Sequence, residues 1–564
     1  MFSITRLLNN IRNDSIIDYM DLKNKKRKSN KVFDHEMIYS NKKQKLETSF
    51  DYIVDSGYKF EDKIIQEITE KMINNVKKLC ILDKTNKTNV QLFEETRNAI
   101  LENKYEIILN GLLIDYTYNI YGLPDLIVTG SWIHKYIGKH IPVLKDTYYI
   151  IDIKATTIPL NSCGKLVSFA NKWEGYKMQV YIYSRILNQI QNKTVKIGFL
   201  MGNRYKYVFN KNQIIKKTFD TLGTIMFDDR LNAEYKLLKS IEWNNLLEKT
   251  HESMKIEELQ PNMKNKFDKN YYYKKYNLSK QQKEITLLWN CGVKQRESAQ
   301  KYGISSYDDN NLTADKLGFK KNTFKYNIID KMLKILHTDK NIIIPSKNNI
   351  QNWRKQLKNE YFIDFETFNT TNSFGQTICV LYMIGIGFMD NNEYKHLTLM
   401  IDTNNFKHSN ENIVKVKDEK QLLEFFISFV QLKKISRLIH WSHAETVIFN
   451  KKLKQYNLKS FNNKLWFDFL NVFKNKFNPI IIKECFSFGI KKIINKLYEY
   501  KMISLQWNED MDNGFLSSII ACKIYENNYS MLDCNNKMNS IINYNTVDCQ
   551  AMYELLTFIR SYKN

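Results

Sequence analysis

Two short runs set ionisable groups on apolar strands. "YFIDFETF" (361–368) carries Asp364 and Glu366, and "YYIIDIKAT" (148–156) carries Asp152 and Lys154. Side chains two apart on a strand share a face, so each pair points one way. Phe362 and Phe368 share the face of the first pair. Two carboxylates side by side on an apolar element repel each other and lose hydration, and a cation between them would relieve both costs. Asp125, in "GLPDLIV" (122–128), is expected on a strand next to that of Asp152. Two acids and a lysine meeting at a strand edge can hold Mg²⁺ or Mn²⁺ and a water molecule. Lys154 could orient the nucleophile or stabilise developing charge.

Further acids come from helices. In "YNTVDCQAMYELLTFIRS" (544–561), Tyr544, Asp548, Ala551, Leu555 and Phe558 follow 4-3-4-3 spacing and share one stripe. Asp548 is thus expected to face inward, where a carboxylate needs a partner. In "RLIHWSHAETVIFNKKL" (437–453) an apolar strand leads into a helix that Glu445 opens. Four carboxylates bring enough charge for two divalent ions, which together can clamp the attacking and leaving oxygens of a phosphodiester.

The elements that must position these groups fall into α/β units. "GYKFEDKIIQEITEKMINNVKKL" (57–79) predicts a helix with Ile65, Ile68, Met72, Val76 and Leu79 on one stripe. Strands are predicted at 105–114, 123–130, 147–156 and 195–202, with a helix at 172–190. These make one α/β unit over 51–245. Residues 246–350 read as a helical, lysine-rich connector, and a second α/β unit spans 351–564. Residues 1–50 read as a tail with basic clusters "KNKKRKSNK" (23–31) and "KKQK" (42–45). Such a tail could be a nuclear-import signal, a nucleic-acid-contacting arm, or solvated chain with no address.

Bulk composition fits this division. A chain of 564 residues exceeds one compact core. Its 85 basic and 60 acidic residues leave a net charge of +25, which favours a polyanionic partner such as nucleic acid. The eight cysteines form no CxxC pair, which suits free thiols in a reducing, intracellular compartment. The longest apolar run, "ICVLYMIGIGFM" (378–389), is too short to cross a bilayer as a helix, and no secretory signal opens the chain.

The motifs resemble two nuclease families. Pro124-Asp125, then Asp152-Ile153-Lys154, then Gln179 and Tyr183 in "QVYIY" resemble the PD-(D/E)XK pattern of RecB-like nucleases. That resemblance implies a restriction-endonuclease-like core and a metal-dependent phosphodiesterase site. Glu61, in the first helix, matches the family's additional ligand. Gln179 and Tyr183 would lie one helical turn apart on one face. Iron–sulfur variants of the family need clustered cysteines. Cys80, Cys163 and Cys291 lack that spacing, so no iron–sulfur cluster is expected.

Asp364-Phe365-Glu366 and the Tyr544-to-Asp548 YxxxD spacing resemble the tyrosine subclass of DEDD 3′–5′ exonucleases, on a ribonuclease-H-like fold. The second motif of that family is usually Asp; this chain offers Glu445, one methylene longer. "HWSHAE" is similar to a YprB-like branch, and "SFGIKKIINKL" (487–497) to the segment between the second and third motifs. Asp468, in "LWFDFLNVF", reads as a supporting acid or a helix cap. "EITLLWNCG" and "SAQKYGI" in the connector also resemble a fusion of the two families. The resemblance implies a divalent-metal-dependent nuclease acting on DNA, and leaves repair, recombination, and defence or counter-defence against foreign DNA open as its setting. Tyr544 would position or help deprotonate the attacking water. The alternatives are a nucleic-acid-binding scaffold with one or both sites inactive, and an RNA-processing nuclease.

Overall fold

The structure is a computed structural model. It describes all residues except 30–48, 73–77, 84, 86, 168–170, 210–211, 269–270, 346–352, 372–376, 404–405, 408–410, 459–460, 507–513, 527 and 563–564. The chain is mixed α/β and divides into two units, Met1–Thr286 and Leu287–Asn564. The 246–350 stretch, expected as a connector, is divided between them at Thr286 and Leu287.

The first unit is built on a seven-stranded mixed sheet of order β10-β8-β7-β6-β3-β2, with β9 (Asn212–Lys217) paired to β8. In chain order the strands on that path are β2 (Leu79–Ile81), β3 (Ile107–Leu109), β6 (Leu126–Thr129), β7 (Tyr148–Leu160), β8 (Ile197–Phe209) and β10 (Gly223–Met226). β7 runs antiparallel to β6 and parallel to β8. Its apolar residues alternate between two cores, as the pleat demands. Tyr148 and Ile150 join the core under the helix Asn171–Gln191, with Met178, Ile182 and Ile186. Tyr149, Ile151 and Ile153 join the opposite core, with Ile64 and Ile68 of the helix Ser49–Lys71 and Met72 just past its end. That helix turns Ile64 rather than Ile65 fully inward, and Leu79 belongs to β2. Val76 lies outside the described residues. The expected strand at 105–114 is two strands, β3 and β4 (Leu113–Asp115), broken at Asn110, which takes a positive φ of 62°.

Of the expected tail, the described residues 1–29 belong to this unit. β1 (Phe2–Ser3) pairs in parallel with β5 (Ile120–Gly122). The helix Ile4–Ile11 buries Ile4, Leu7, Leu8 and Ile11 against the helices Asn171–Gln191 and Ala233–Thr250. Ile16, Ile17 and Met20 form a further core with Leu278. Asp14 is fully buried and accepts from Asn262 N (3.0 Å), Asn265 Nδ2 (2.8 Å) and Lys275 Nζ (2.9 Å). The physical reason is visible in the spacing. Ile4, Leu7, Leu8 and Ile11 repeat at i, i+3, i+4 and i+7, a one-faced apolar helix. The cluster at 23–31 begins within the helix Ile16–Ser29, and "KKQK" lies outside the described residues.

The second unit carries a six-stranded sheet of order β15-β14-β13-β12-β16-β17, with β15 formed by Ile413–Val416. β12 (Glu360–Thr371), β13 (Thr377–Asp390) and β14 (Glu393–Ile401) are antiparallel neighbours. β16 (Arg437–His440) and β17 (Trp466–Asp468) extend the other edge in parallel. Helices flank both faces, with separate cores around Phe426 and Met538. The last helix runs Met531–Ser561, thirteen residues longer at its start than the expected 544–561. Its buried side includes Asn545, Cys549, Met552, Leu556 and Ile559. Asp548 stands at the margin of that side, half-buried rather than fully inward.

Candidate metal centre

The centre of the second unit starts from a strand and a pair of glycines. Asp364 and Glu366 lie on β12 two residues apart, and the register shifts just after Glu366. Asp364 pairs across the sheet with Gly385 of β13. A Cβ at Gly385 would sit 1.7 Å from Asn545 Oδ1, so the missing side chain is the space into which the last helix drops Asn545. Asn545, fully buried, donates from Nδ2 to Asp364 Oδ2 at 2.8 Å. Ser517, on the helix Gly514–Tyr525, donates to Glu366 Oε2 at 2.8 Å. One turn after Tyr544, Asp548 completes the group. Ligand oxygens of Asp364, Glu366 and Asp548 lie within 4.8 Å of one another.

The electrostatics follow from this crowding. Burial, then Asp548, Glu366 and Glu445, push the Asp364 carboxyl well above the usual carboxylate range, against the Asn545 hydrogen bond. Burial and Asp548 raise Glu366 to about 8, opposed by Ser517 and Lys491. Tyr544 is raised by burial and by the three acids, and hydrogen-bonds Asp548. Lys491 Nζ stands 4.1 Å from the Tyr544 ring centroid. The donor set is what a hard divalent cation takes: several carboxylate oxygens, few competing hydrogen-bond donors, and protons held first by burial and then by the crowding of like charge.

Glu445 opens the helix Ala444–Gln455, as expected, but is not one of the three converging acids. It is buried, 3.3 Å from His440 Nδ1, and acts on Asp364 through its charge. Asp468 accepts from Ser442 N (3.0 Å), Leu470 N (3.1 Å) and Asn471 Nδ2 (3.1 Å), so it organises a loop and a helix start. The sequence reading missed Ser517, Asn545 and Lys491. Asn545 had a signal: it lies three residues before Asp548, on an adjoining helix stripe. Ser517 had none, because a neutral hydroxyl on an apolar helix carries no charge or spacing pattern.

The first unit places its residues around β7. The β6–β7 ladder pairs Leu126 with Ile151, which sets Asp125 across from Asp152 one step further on. Asp125 Oδ2 accepts the Ile153 N–H at 2.6 Å. Asp152 is fully buried; Lys154 Nζ lies 2.6 Å from its Oδ2, and its Oδ1 is buried without a hydrogen bond. Burial raises Asp152 to about 7, with Asp125 and Glu61 adding to the rise and Lys154 opposing it. Burial works against the Lys154 charge, but Asp152 and Asp125 hold it above its ordinary value. The β7–β8 register shifts between Lys154 and Thr157, an irregularity of the kind that re-aims side chains. Tyr183 donates to Leu123 O at 3.0 Å and hydrogen-bonds Gln179. Tyr183 therefore braces the Pro124-Asp125 turn, while Gln179 borders an open cavity beside Lys154. Glu61 reaches this group through its charge, yet Glu61, Asp125 and Asp152 do not converge as the three acids of the second unit do. The orphaned Asp152 Oδ1 and the facing Asp125 are a donor pair that suits a divalent cation.

No helix of the described residues is long and apolar enough to cross a membrane. Compared with protein-family models and with curated proteins, the sequence matches none.

Proposed function

We propose that this chain is a Mg²⁺- or Mn²⁺-dependent nuclease acting on DNA, with an exonuclease-like site in the second unit and a RecB-like site in the first. The observation that carries the reading is the convergence of Asp364, Glu366 and Asp548 at the junction of β12 and the last helix. Supporting it are Asp152 and Lys154 on β7 with Asp125 facing them from the residue before β6, and a net charge of +25, which suits a phosphate polymer.

A divalent ion, when bound, would neutralise the carboxylates, shield the phosphodiester and lower the pKa of water. The chain's own residues do the rest. Asp364, Glu366 and Asp548 would hold the ion, and Asn545 and Ser517 fix the rotamers of the two strand acids. Tyr544, which hydrogen-bonds Asp548, stands where it can position the attacking water or help deprotonate it. In the first unit Lys154 stays charged beside Asp152 and can meet negative charge developing on a phosphate.

The test uses end-labelled single-stranded DNA, double-stranded DNA and RNA with Mg²⁺, Mn²⁺ or EDTA. Wild type is expected to degrade DNA with either metal. Asp548→Asn should remove one activity, Asp152→Asn the other, and the double variant both. A double variant that cuts as fast as wild type overturns the assignment. Binding that survives EDTA with no degradation under any metal would favour a scaffold.

A further inference from the structure

One cavity of the first unit has a wall that the catalytic reading does not use. It has a volume of about 480 Å³, and Lys154 and Gln179 line one side. The N-terminal segment lines the other with Arg6, Asn9 and Arg12. Arg12 closes the helix Ile4–Ile11 and is only 7% exposed. Its guanidinium lies 4.4 Å from the Phe267 ring centroid. It also rests against Gly175, where a Cβ would come within 2.5 Å of Nη2. Its Nε is buried with no hydrogen-bond acceptor, and no carboxylate among the described residues pairs with it. Burial pulls this guanidinium down to about 10, with Tyr176 giving the main opposing pull.

A buried, always-charged fork without an anion is costly unless a ligand supplies one. The neighbours say what kind. Tyr176 joins the two cationic ends, with Lys154 Nζ 5.2 Å from its ring centroid and Phe267 edge-on at 6.3 Å. Arg6 adds a second guanidinium, one end of which is held by Glu248 at 3.0 Å while Nη2 is buried without an acceptor. Against Arg6, Arg12 and Lys154 the lining has one acid, Asp21, which accepts from Tyr271 at 2.9 Å. Planar guanidinium forks match phosphate oxygens, and aromatic walls accept a base or sugar.

We propose that this cavity is a phosphate-binding subsite, in which Arg12 and Arg6 seat a phosphate group of a nucleic-acid strand beside Lys154. The identity of the strand rests on the nuclease reading; the phosphate seat does not. The phosphate is either a terminal monoester or a backbone diester, and the subsite would fix where the strand enters the first site.

The test is binding by the full chain in EDTA, so that no metal-dependent step contributes. Fluorescent single-stranded oligonucleotides carry a 5′-phosphate, a 3′-phosphate or hydroxyls at both ends. A terminal seat predicts that one phosphorylated strand binds about tenfold tighter than the hydroxyl strand, and that Arg12→Gln abolishes this preference. A diester seat predicts that Arg12→Gln weakens all three strands by a similar factor, with Arg6→Gln acting in the same direction. Either result supports the subsite. If Arg12→Gln folds and binds all three strands as wild type does, the proposal is overturned. Should that variant not fold, inorganic pyrophosphate decides on wild type: a raised melting temperature in EDTA supports the seat, and an unchanged one overturns it. Phosphate binding with no cleavage by the first site would remove the nuclease reading there and keep the subsite. Cleavage with no phosphate response would remove the subsite alone.

Discussion

Glu366 sits beside Asp364 and Asp548 with a single hydroxyl donor, Ser517, on its Oε2. Its carboxyl rises from 4.5 to about 8, and that of Asp152 in the first unit from 3.8 to about 7. Both shifts make the folded chain hold protons more tightly than the unfolded chain. The sign of the pH effect follows. Their contribution to stability is complete below the unfolded values and is lost as pH rises through about 7 and 8. In EDTA the melting temperature is therefore expected to fall between about pH 5 and 8, and Glu366→Gln should flatten that fall. Mn²⁺ should offset it at about pH 8, because the ion replaces the protons. Melting curves across that range, with and without Mn²⁺, check this. A neutralising change at Asp364 has a related consequence. Asp364→Asn should raise the metal-free melting temperature by roughly 2–4 °C per kcal/mol of repulsion removed, and abolish stabilisation by Mn²⁺. At this scale the sequence was most legible where strand alternation forces a face: Asp152 with Lys154, and Asp364 with Glu366. It was least legible where the partner is neutral. Asn545 and Ser517 carry no charge pattern, and their roles depend on a tertiary approach.

That approach is a property of elements. The last helix reaches Asp364 because Gly385 leaves room for Asn545 and Gly387 for Cys549, whose Cβ would lie 3.2 Å from an added Cβ; Gly387 also leaves room for Tyr394 of β14. Gly385→Ala is expected to cost about 1–3 kcal/mol or more, since Asn545 is fixed by its bond to Asp364 and cannot move aside freely. Urea unfolding should show that loss, and activity of the second unit should fall with it. Asn545→Ala tests the same contact from the other side, with a loss of about 1–3 kcal/mol from the broken buried hydrogen bond. The "GIG" within an apolar strand is readable as a close approach of another element. What approaches is not readable, because it lies some 160 residues away in the chain. The N-terminal segment gives the opposite lesson. Its apolar spacing at Ile4, Leu7, Leu8 and Ile11 was present, but the basic run at 23–31 dominated the composition and hid a helix that completes a core.

At the scale of the molecule, each of the two units carries its own acidic site on a central strand. The first unit depends on its N-terminus. Asp14→Ala would leave the fully buried Lys275 with Asp268 as its remaining acidic partner, at a cost of about 3–5 kcal/mol. Limited proteolysis should then cut the first unit readily while fragments of the second persist. A dispensable tail would show no such effect. The charge of +25 makes a separate prediction. Affinity for DNA should fall with salt, by on the order of 10³ between about 50 and 200 mM if about six phosphates are engaged. A titration at several salt concentrations gives the slope.

The central claim is that the acids between β12 and the middle of the last helix take up a divalent ion. Crystals of the full chain soaked in Mn²⁺ and measured at the manganese absorption edge should give an anomalous peak bounded by Asp364, Glu366 and Asp548. A map with no peak there, from crystals in which Mn²⁺ binds elsewhere or not at all, would contradict it.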